Sequence, residues 1–305
     1  MSFVSVSSLL SGPNGDPRGA PDLEEHLDGE DVLVPLLVSE ASAVTDQLRV
    51  AASLARTTGG SLTAVDPVAV SGRTPVEQCR EPTPENESAL IEWAVERVSN
   101  ASSGTDARFA CARGFVDDVS AAAATADVDA LVVPGDRAGG LLRGSFAERL
   151  AQAVDCDVVT VNGPSGYEGV PSILLAVSGG PHSGVATDVA RRVAADCDAW
   201  VDVLRVVEEN ASERERREAE ELVESAYRRL DRPESTSKWI LEAEDATEAI
   251  VEQSAYYGLT VIGAPTKGRL RRFVSGSTSR TVRDNAESVV LSAHTRREPK
   301  APGGD

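Results

Sequence analysis

Lysine is nearly missing from this chain: Lys238, Lys267 and Lys300 are the only three in 305 residues. Aromatic residues are equally sparse at 4%, against 41% hydrophobic residues overall, so the core has to be built from Ala, Val and Leu. Small-residue cores of that kind suit helices packed on parallel sheets. No run approaches the roughly 18 apolar residues of a membrane helix, and Val4 to Leu10 lacks the basic lead and the length of a signal peptide. The sequence therefore reads as cytoplasmic, with no direct membrane insertion. Cys79, Cys111, Cys156 and Cys197 stand alone, without a CxxC pair or a nearby His, which indicates neither a zinc site nor a redox motif and leaves reduced structural thiols. His26, His182 and His294 lie far apart and meet only if folding brings them together.

What the chain has instead is acid. Arg carries nearly all the positive charge, and the formal net charge of -19 with a pI near 4.6 argues against a sequence-independent nucleic-acid binder, which needs clustered Lys and Arg. Such a surface keeps a protein soluble at high salt and is expected to make the fold less stable in dilute buffer.

Residues 1–30 carry Ser, Gly and Pro clusters without periodicity and read as a disordered tail, as do residues 296–305. From Asp31 short β-branched runs alternate with helical patterns. Strands are expected at Val32 to Val38, Ser61 to Val65, Ala107 to Ala112, Ala130 to Val133 and Val158 to Val161. Helices are expected at Ala41 to Thr57, Glu85 to Val98, Asp117 to Ala126 and Phe146 to Ala153. Asn162 to Pro171 is a Gly- and Pro-rich linker.

A second series follows. Strands are expected at Ser172 to Val177, Trp200 to Val206, Lys238 to Leu241, Thr260 to Ile262 and Ser288 to Leu291, with helices at Ser212 to Leu230 and Thr247 to Tyr256. In the first of these helices Ala219, Leu222, Val223, Ala226, Tyr227 and Leu230 form one apolar stripe, and Ser212 with Glu215 has capping-box spacing. A repeat of roughly 130 to 140 residues is a domain rather than a solenoid unit. The implied organisation is two α/β domains, 31–162 and 172–295, each with a parallel sheet covered on both faces.

The stretch Val261 to Ser279 ends an apolar strand at Gly263, continues through a basic loop with Lys267, Arg269, Arg271 and Arg272, and reaches Gly276-Ser277-Thr278-Ser279. Backbone N–H groups and hydroxyls aimed at one point form an anion cradle. The plainer reading is that the glycines only let the chain turn and Ser277 only caps a helix. The basic cluster either meets phosphates or pairs with surface carboxylates.

Two copies of a five-strand α/β unit, each with a Gly-flanked loop after its fourth strand, resemble a tandem universal stress protein of the UspA family, haloarchaeal type. The resemblance covers Asp31 to about Thr295. It implies a Rossmann-like sheet of order 3-2-1-4-5 in each domain, a pseudo-dimer within the chain, no catalysis, and ATP or AMP as the ligand. The family's nucleotide pattern is Gly, two residues, Gly, nine residues, then Gly with Ser or Thr. Gly263 and Gly276-Ser277 keep its outer spacing, while Thr266 stands at the middle glycine. The implied contacts are Ala176, Ser178, Gly263, Thr266, Gly276, Ser277 and Thr278. Ser178 replaces an Asp that contacts nucleotide in the binding members. In the first copy Pro134 stands where the first glycine belongs and Gly144-Ser145 comes early, so that copy is degenerate. In open α/β sheets ligands sit at the switch point beyond the strand carboxyl ends, which places Ala176 and Ser178 opposite Gly263.

No Ser/His/Asp or Cys/His signature is present, and Gly144-Ser145-Phe146-Ala147 lacks the second glycine of a hydrolase elbow. Three functions compete: a nucleotide-responsive stress protein, a ligand-free scaffold, and a regulatory module for a membrane transporter such as an amino-acid permease.

Overall fold

The computed structural model describes residues 3–5, 31–36, 41–69, 105–112, 115–126, 128–135, 146–162, 170–264, 281–282, 285–286 and 288–295. The chain forms an α/β fold that divides into two compact units, Leu27–Gly166 and, joined to Met1–His26, Tyr167–Asp305.

In the unit Leu27–Gly166 the strands are β2 (Val32–Pro35), β3 (Leu62–Ala69), β4 (Thr105–Ala112), β5 (Ala130–Pro134) and β6 (Asp157–Asn162). They run parallel in the order β6-β5-β2-β3-β4. The helices are α1 (Ala41–Thr58), α2 (Phe115–Ala126) and α3 (Phe146–Ala153). Leu33, Val65, Leu131 and Val133 of the sheet pack with Val119 and Ala123 of α2 and Leu150 of α3. Helix α1 ends at Gly59, whose φ of 73° suits a residue without a Cβ, and Gly60 N–H closes the end on Ala55 O at 2.9 Å. Gln47 of α1, fully buried, donates from Nε2 to Pro35 O at 3.0 Å and Val132 O at 2.8 Å, tying the helix to both central strands. The helix expected at Glu85 to Val98 lies outside the described residues, as do the cradle residues Gly144 and Ser145.

In the C-terminal unit the strands are β7 (Ser172–Ala176), β8 (Trp200–Val207), β9 (Thr236–Glu242), β10 (Leu259–Gly263) and β11 (Val289–His294). These run parallel in the order β9-β8-β7-β10-β11. The tail read as disordered supplies a further strand, β1 (Phe3–Ser5), antiparallel to β9 with Val4 opposite Ile240. Three apolar or small residues beside an open edge suffice for that pairing, which no local pattern announces. Helices α4 (Pro181–Cys197), α5 (Glu213–Leu230) and α6 (Ala246–Ser254) cover the sheet. Strands buried on both faces read as continuous apolar runs, as Ile173, Leu174 and Leu175 do here with no exposure. The largest fully buried side chains of the described residues are leucines and Ile173, so the scarcity of aromatics is reflected in the core.

Helix α5 starts at a capping box: Ser212 Oγ accepts from Glu215 N–H, and the Glu215 carboxylate accepts from Ser212 N–H at 2.7 Å. Its buried stripe is Ala219, Leu222, Val223, Ala226 and Leu230. Tyr227, expected in that stripe, is only half-buried, with Lys238 Nζ 4.5 Å from its ring centre. Arg229 of α5 clasps Asp188 of α4 through two bonds of 2.8 and 2.6 Å, a buried bidentate pair that fixes one helix against the other. Both α4 and α5 end on an aspartate in the left-handed region, Asp198 at φ 51° and Asp231 at φ 50°.

Candidate functional site

The C-terminal unit has β7 and β10 as parallel neighbours, with Ile262 opposite Ala176. Past that pair, β7 runs into Val177-Ser178-Gly179-Gly180 and then α4, while β10 ends at Gly263. Connections leaving adjacent strand ends in opposite directions open a crevice at the carboxyl edge. The turn itself requires glycine: Gly179 has φ 79° and Gly180 φ 91°. Gly180 caps α4 without a side-chain hydrogen bond, and Pro181 stands in the first turn.

Three of the seven residues implied as contacts are described, and they differ in access. Ser178 is exposed at the mouth of the turn. Ala176 is buried, its methyl in a cluster with Ile262, Val282 and Val290, so only its backbone is left to face a ligand. Gly263 is half-buried, and a Cβ there would lie 2.9 Å from His182 C and 3.1 Å from Ser183 N. The start of α4 therefore lies directly against β10, and this close approach demands glycine whatever else occupies the crevice. Thr266, Gly276, Ser277 and Thr278, with Lys267, Arg269, Arg271 and Arg272, lie outside the described residues.

Two further features shape this edge, and the first is a meeting of histidines that only folding could bring about. His182 and His294, far apart in sequence, come together with ring centres 4.3 Å apart and planes tilted by 53°. Thr295 N–H donates to His182 Nδ1 at 3.1 Å, so the neutral ring of His182 carries its proton on Nε2. This bond fastens the start of α4 to the end of β11. The signal lay in topology alone: α4 packs over β10 and β11, which brings a residue opening α4 to the end of β11.

The second feature is Arg205, on β8. It follows Leu204, which pairs with Ala176, so its side chain stands beside Val177 at the same carboxyl edge. Arg205 is half-buried, and its Nη1 donates to Val177 O at 3.4 Å. Loss of hydration pushes its guanidinium pKa down. Among the described residues no carboxylate pairs with it. Glu242, on the same face of the neighbouring strand, is engaged by Arg216.

At the opposite end of the same sheet, Asp202 accepts from Tyr257 Oη at 2.6 Å, from Trp200 Nε1 at 3.0 Å and from Ser237 Oγ. Burial first, then the hydrogen bond to Asp202 and the charge of that carboxylate, push the Tyr257 phenol pKa up. This acid is satisfied on both oxygens and serves as a structural knot. Cys197 is exposed, whereas the thiol of Cys156 is pushed up to about 12, chiefly by burial and then by Asp157, and is unreactive at neutral pH.

No described helix is long and apolar enough to cross a membrane. Among the described residues no group of three or more His, Cys, Asp or Glu is placed to hold a metal ion.

Comparison with known proteins bears on the fold. A universal stress protein from Archaeoglobus fulgidus DSM 4304 is similar at 13% identity with a TM-score of 0.55, covering 89% of this chain and 98% of its own. A functionally unknown protein, PA1789, from Pseudomonas aeruginosa PAO1 is similar at 17% identity with a TM-score of 0.53, covering 87% of this chain and 92% of its own. Likenesses under 25% identity speak for the fold alone. Among curated proteins none matches the chain. Residues 170–294, the segment that holds the crevice, match the Universal stress protein family.

Proposed function

We propose that the C-terminal unit is a nucleotide-responsive universal stress protein domain, binding rather than catalytic, that takes ATP or AMP at the carboxyl edge of β7 and β10. The observation that carries this reading is the crevice: the glycine turn 178–180, the end of β10 and the half-buried Arg205 converge at the switch point of a sheet within the matched segment. The ligand's phosphates are assigned to Gly263, Gly276, Ser277 and Thr278, with the base beside Ser178 and the backbone of Ala176. The two units are tandem copies of one domain, a reading supported by their common strand order. His182 is tied through Nδ1 to a backbone N–H, which favours a positioning part for it over that of a general base.

Ser178 replaces an acid whose charge-assisted hydrogen bond would be worth about 1.5–3 kcal/mol, so affinity is expected about 10- to 150-fold below that of a site keeping the acid. Calorimetric titration of ATP into wild type, Gly276→Val and Gly144→Val tests the assignment. Binding should disappear in the Gly276 variant alone. Equal loss in both variants, or no binding in wild type, would favour a ligand-free scaffold. That second reading draws on the contact of Gly263 with the His182 backbone, which accounts for this glycine by packing. A transporter-regulating role would show as co-purification with a membrane partner.

A further inference from the structure

We propose that Arg205 is a ligand-anchoring residue of this crevice, holding an anionic oxygen group, phosphate or carboxylate, from the β8 side. The proposal rests on reading the carboxyl edge as a binding site, and it deepens that reading by naming what the ligand must present there.

The guanidinium has five N–H donors in a rigid fork and cannot lose its charge, so a half-buried arginine calls for oxygen acceptors and a counter-charge. Arg205 has one acceptor, the Val177 carbonyl, at the long distance of 3.4 Å. In a chain of net charge -19 a carboxylate is easily found. The other arginines on this side of the unit show it, with Arg229 on Asp188 and Arg216 on Glu242. Arg205 does not have one among the described residues, although its face of the sheet includes Glu242, two residues beyond its partner Ile240. A purely structural arginine on the inner face of an acidic protein would have been paired in the same way.

Position supplies the rest. Arg205 stands level with Val177, the residue that opens the Ser178-Gly179-Gly180 turn, with β7 between it and β10. Adjacent strands lie about 4.8 Å apart, so two strand spacings separate β8 from β10, within the combined reach of an arginine side chain and a chain of phosphates. An anionic chain that begins at Gly263 and lies across the end of β7, outside the base at Ser178 and Ala176, would meet the guanidinium at its far end. Charge at the mouth has thereby been exchanged: the acid expected in the turn is Ser178, and a cation stands on the next strand.

The test measures ligand binding and melting temperature on the full chain at one fixed salt concentration, for wild type, Arg205→Met and Arg205→Lys, with adenosine, AMP, ATP and inorganic pyrophosphate as probes. Wild type should bind ATP more tightly than adenosine. Arg205→Met should weaken ATP and pyrophosphate by about tenfold or more while leaving adenosine unchanged, with Arg205→Lys in between. Without ligand, Arg205→Met should melt at the wild-type temperature or above it, because an unpaired, desolvated charge is replaced by an apolar side chain of similar length. Pyrophosphate binding that depends on Arg205 in a protein that ignores ATP and AMP would uphold the anchor and defeat the nucleotide reading. ATP bound equally by wild type and Arg205→Met would overturn the anchor and leave the nucleotide reading standing. A methionine variant whose melting temperature drops by several degrees and whose adenosine affinity falls with the rest would make Arg205 structural, and overturns the proposal.

Discussion

At the fifth residue of β5 stands Pro134, and at the fifth residue of β10 stands Gly263. The two strands are the fourth of their respective units, and the next N–H in each continues the ladder, Gly135 to Val161 O at 2.8 Å and Ala264 to Ala293 O at 2.7 Å. The glycine has moved by one residue, and it serves a different neighbour. A Cβ on Gly135 would fall 1.4 Å from Asn162 Oδ1, so a side chain fills that space in the unit Leu27–Gly166; at Gly263 the space is filled by the backbone of α4. Pro134 has no N–H to offer a ligand, and its ring fixes the chain at the strand end. One unit has furnished its strand ends with its own side chains, Asn162 and Gln47. The other keeps glycines, a helix start and the guanidinium of Arg205, which no carboxylate pairs among the described residues.

The largest effect should come from filling the two glycine sites. Gly263→Ala must displace helix backbone and is expected to cost about 2–3 kcal/mol, while Gly135→Ala asks only that Asn162 swing aside and should cost under about 1 kcal/mol. Urea unfolding of both variants measures the difference, and equal losses would erase the comparison.

Of the same size is the effect expected at the seam between helix and strands. Gln47 is the seventh residue of α1 and Thr187 the seventh of α4. Gln47→Met strands two buried carbonyls and should cost about 2–3 kcal/mol. Among the described residues Thr187 Oγ1 bonds only Ser183 O in its own helix, so Thr187→Val should stay within about 0.5 kcal/mol. Similar destabilisation in the two melts would mean that the helices are held alike in both units.

The smallest effect belongs to the polar knot. Asp202 is the third residue of β8, and the third residue of β3 is Ala64, so only the C-terminal unit can have this titrating pair. Tyr257→Phe should cost about 1–2 kcal/mol at neutral pH. The folded phenol holds its proton more tightly than the unfolded one, whose pKa is about 10, so this stabilisation is complete below that pH and is lost as pH rises through the folded value. Melting temperatures from pH 8 to 11 should therefore fall more steeply for wild type than for the phenylalanine variant. Parallel curves would remove Tyr257 from the alkaline response.

Much of this architecture was legible because parallel strands buried on both faces are written as apolar runs. The Ser212–Glu215 cap of α5 was equally plain, being local chemistry at fixed spacing. Strand extent was less so: β3 continues past Val65 through Asp66 and Pro67, residues that read as a stop, because β4 runs beside it as far as Ala112 opposite Ala69. A ladder lasts as long as its partner does. The site was half legible. Gly263 was found, with a packing reason that no motif contains. Arg205 was passed over because its distinction is that no carboxylate among the described residues pairs with it, a property of neighbours drawn from other strands and helices. Thr266, Gly276, Ser277 and Thr278 lie outside the described residues, so their assignment still rests on spacing.

The left-handed ends of α4 and α5 carry one more consequence. Asp198 and Asp231 occupy positions where glycine is commonest, and each sets a negative charge at the negative pole of a helix. Backbone preference and dipole both oppose aspartate there, and arginines answer it: Arg232 reaches Asp198 at 3.3 Å, and Arg228 and Arg229 stand in the last turn of α5. Salt then acts twice at these helix ends, screening the clash between carboxylate and dipole and screening the arginines that relieve it, so that its two effects offset one another there.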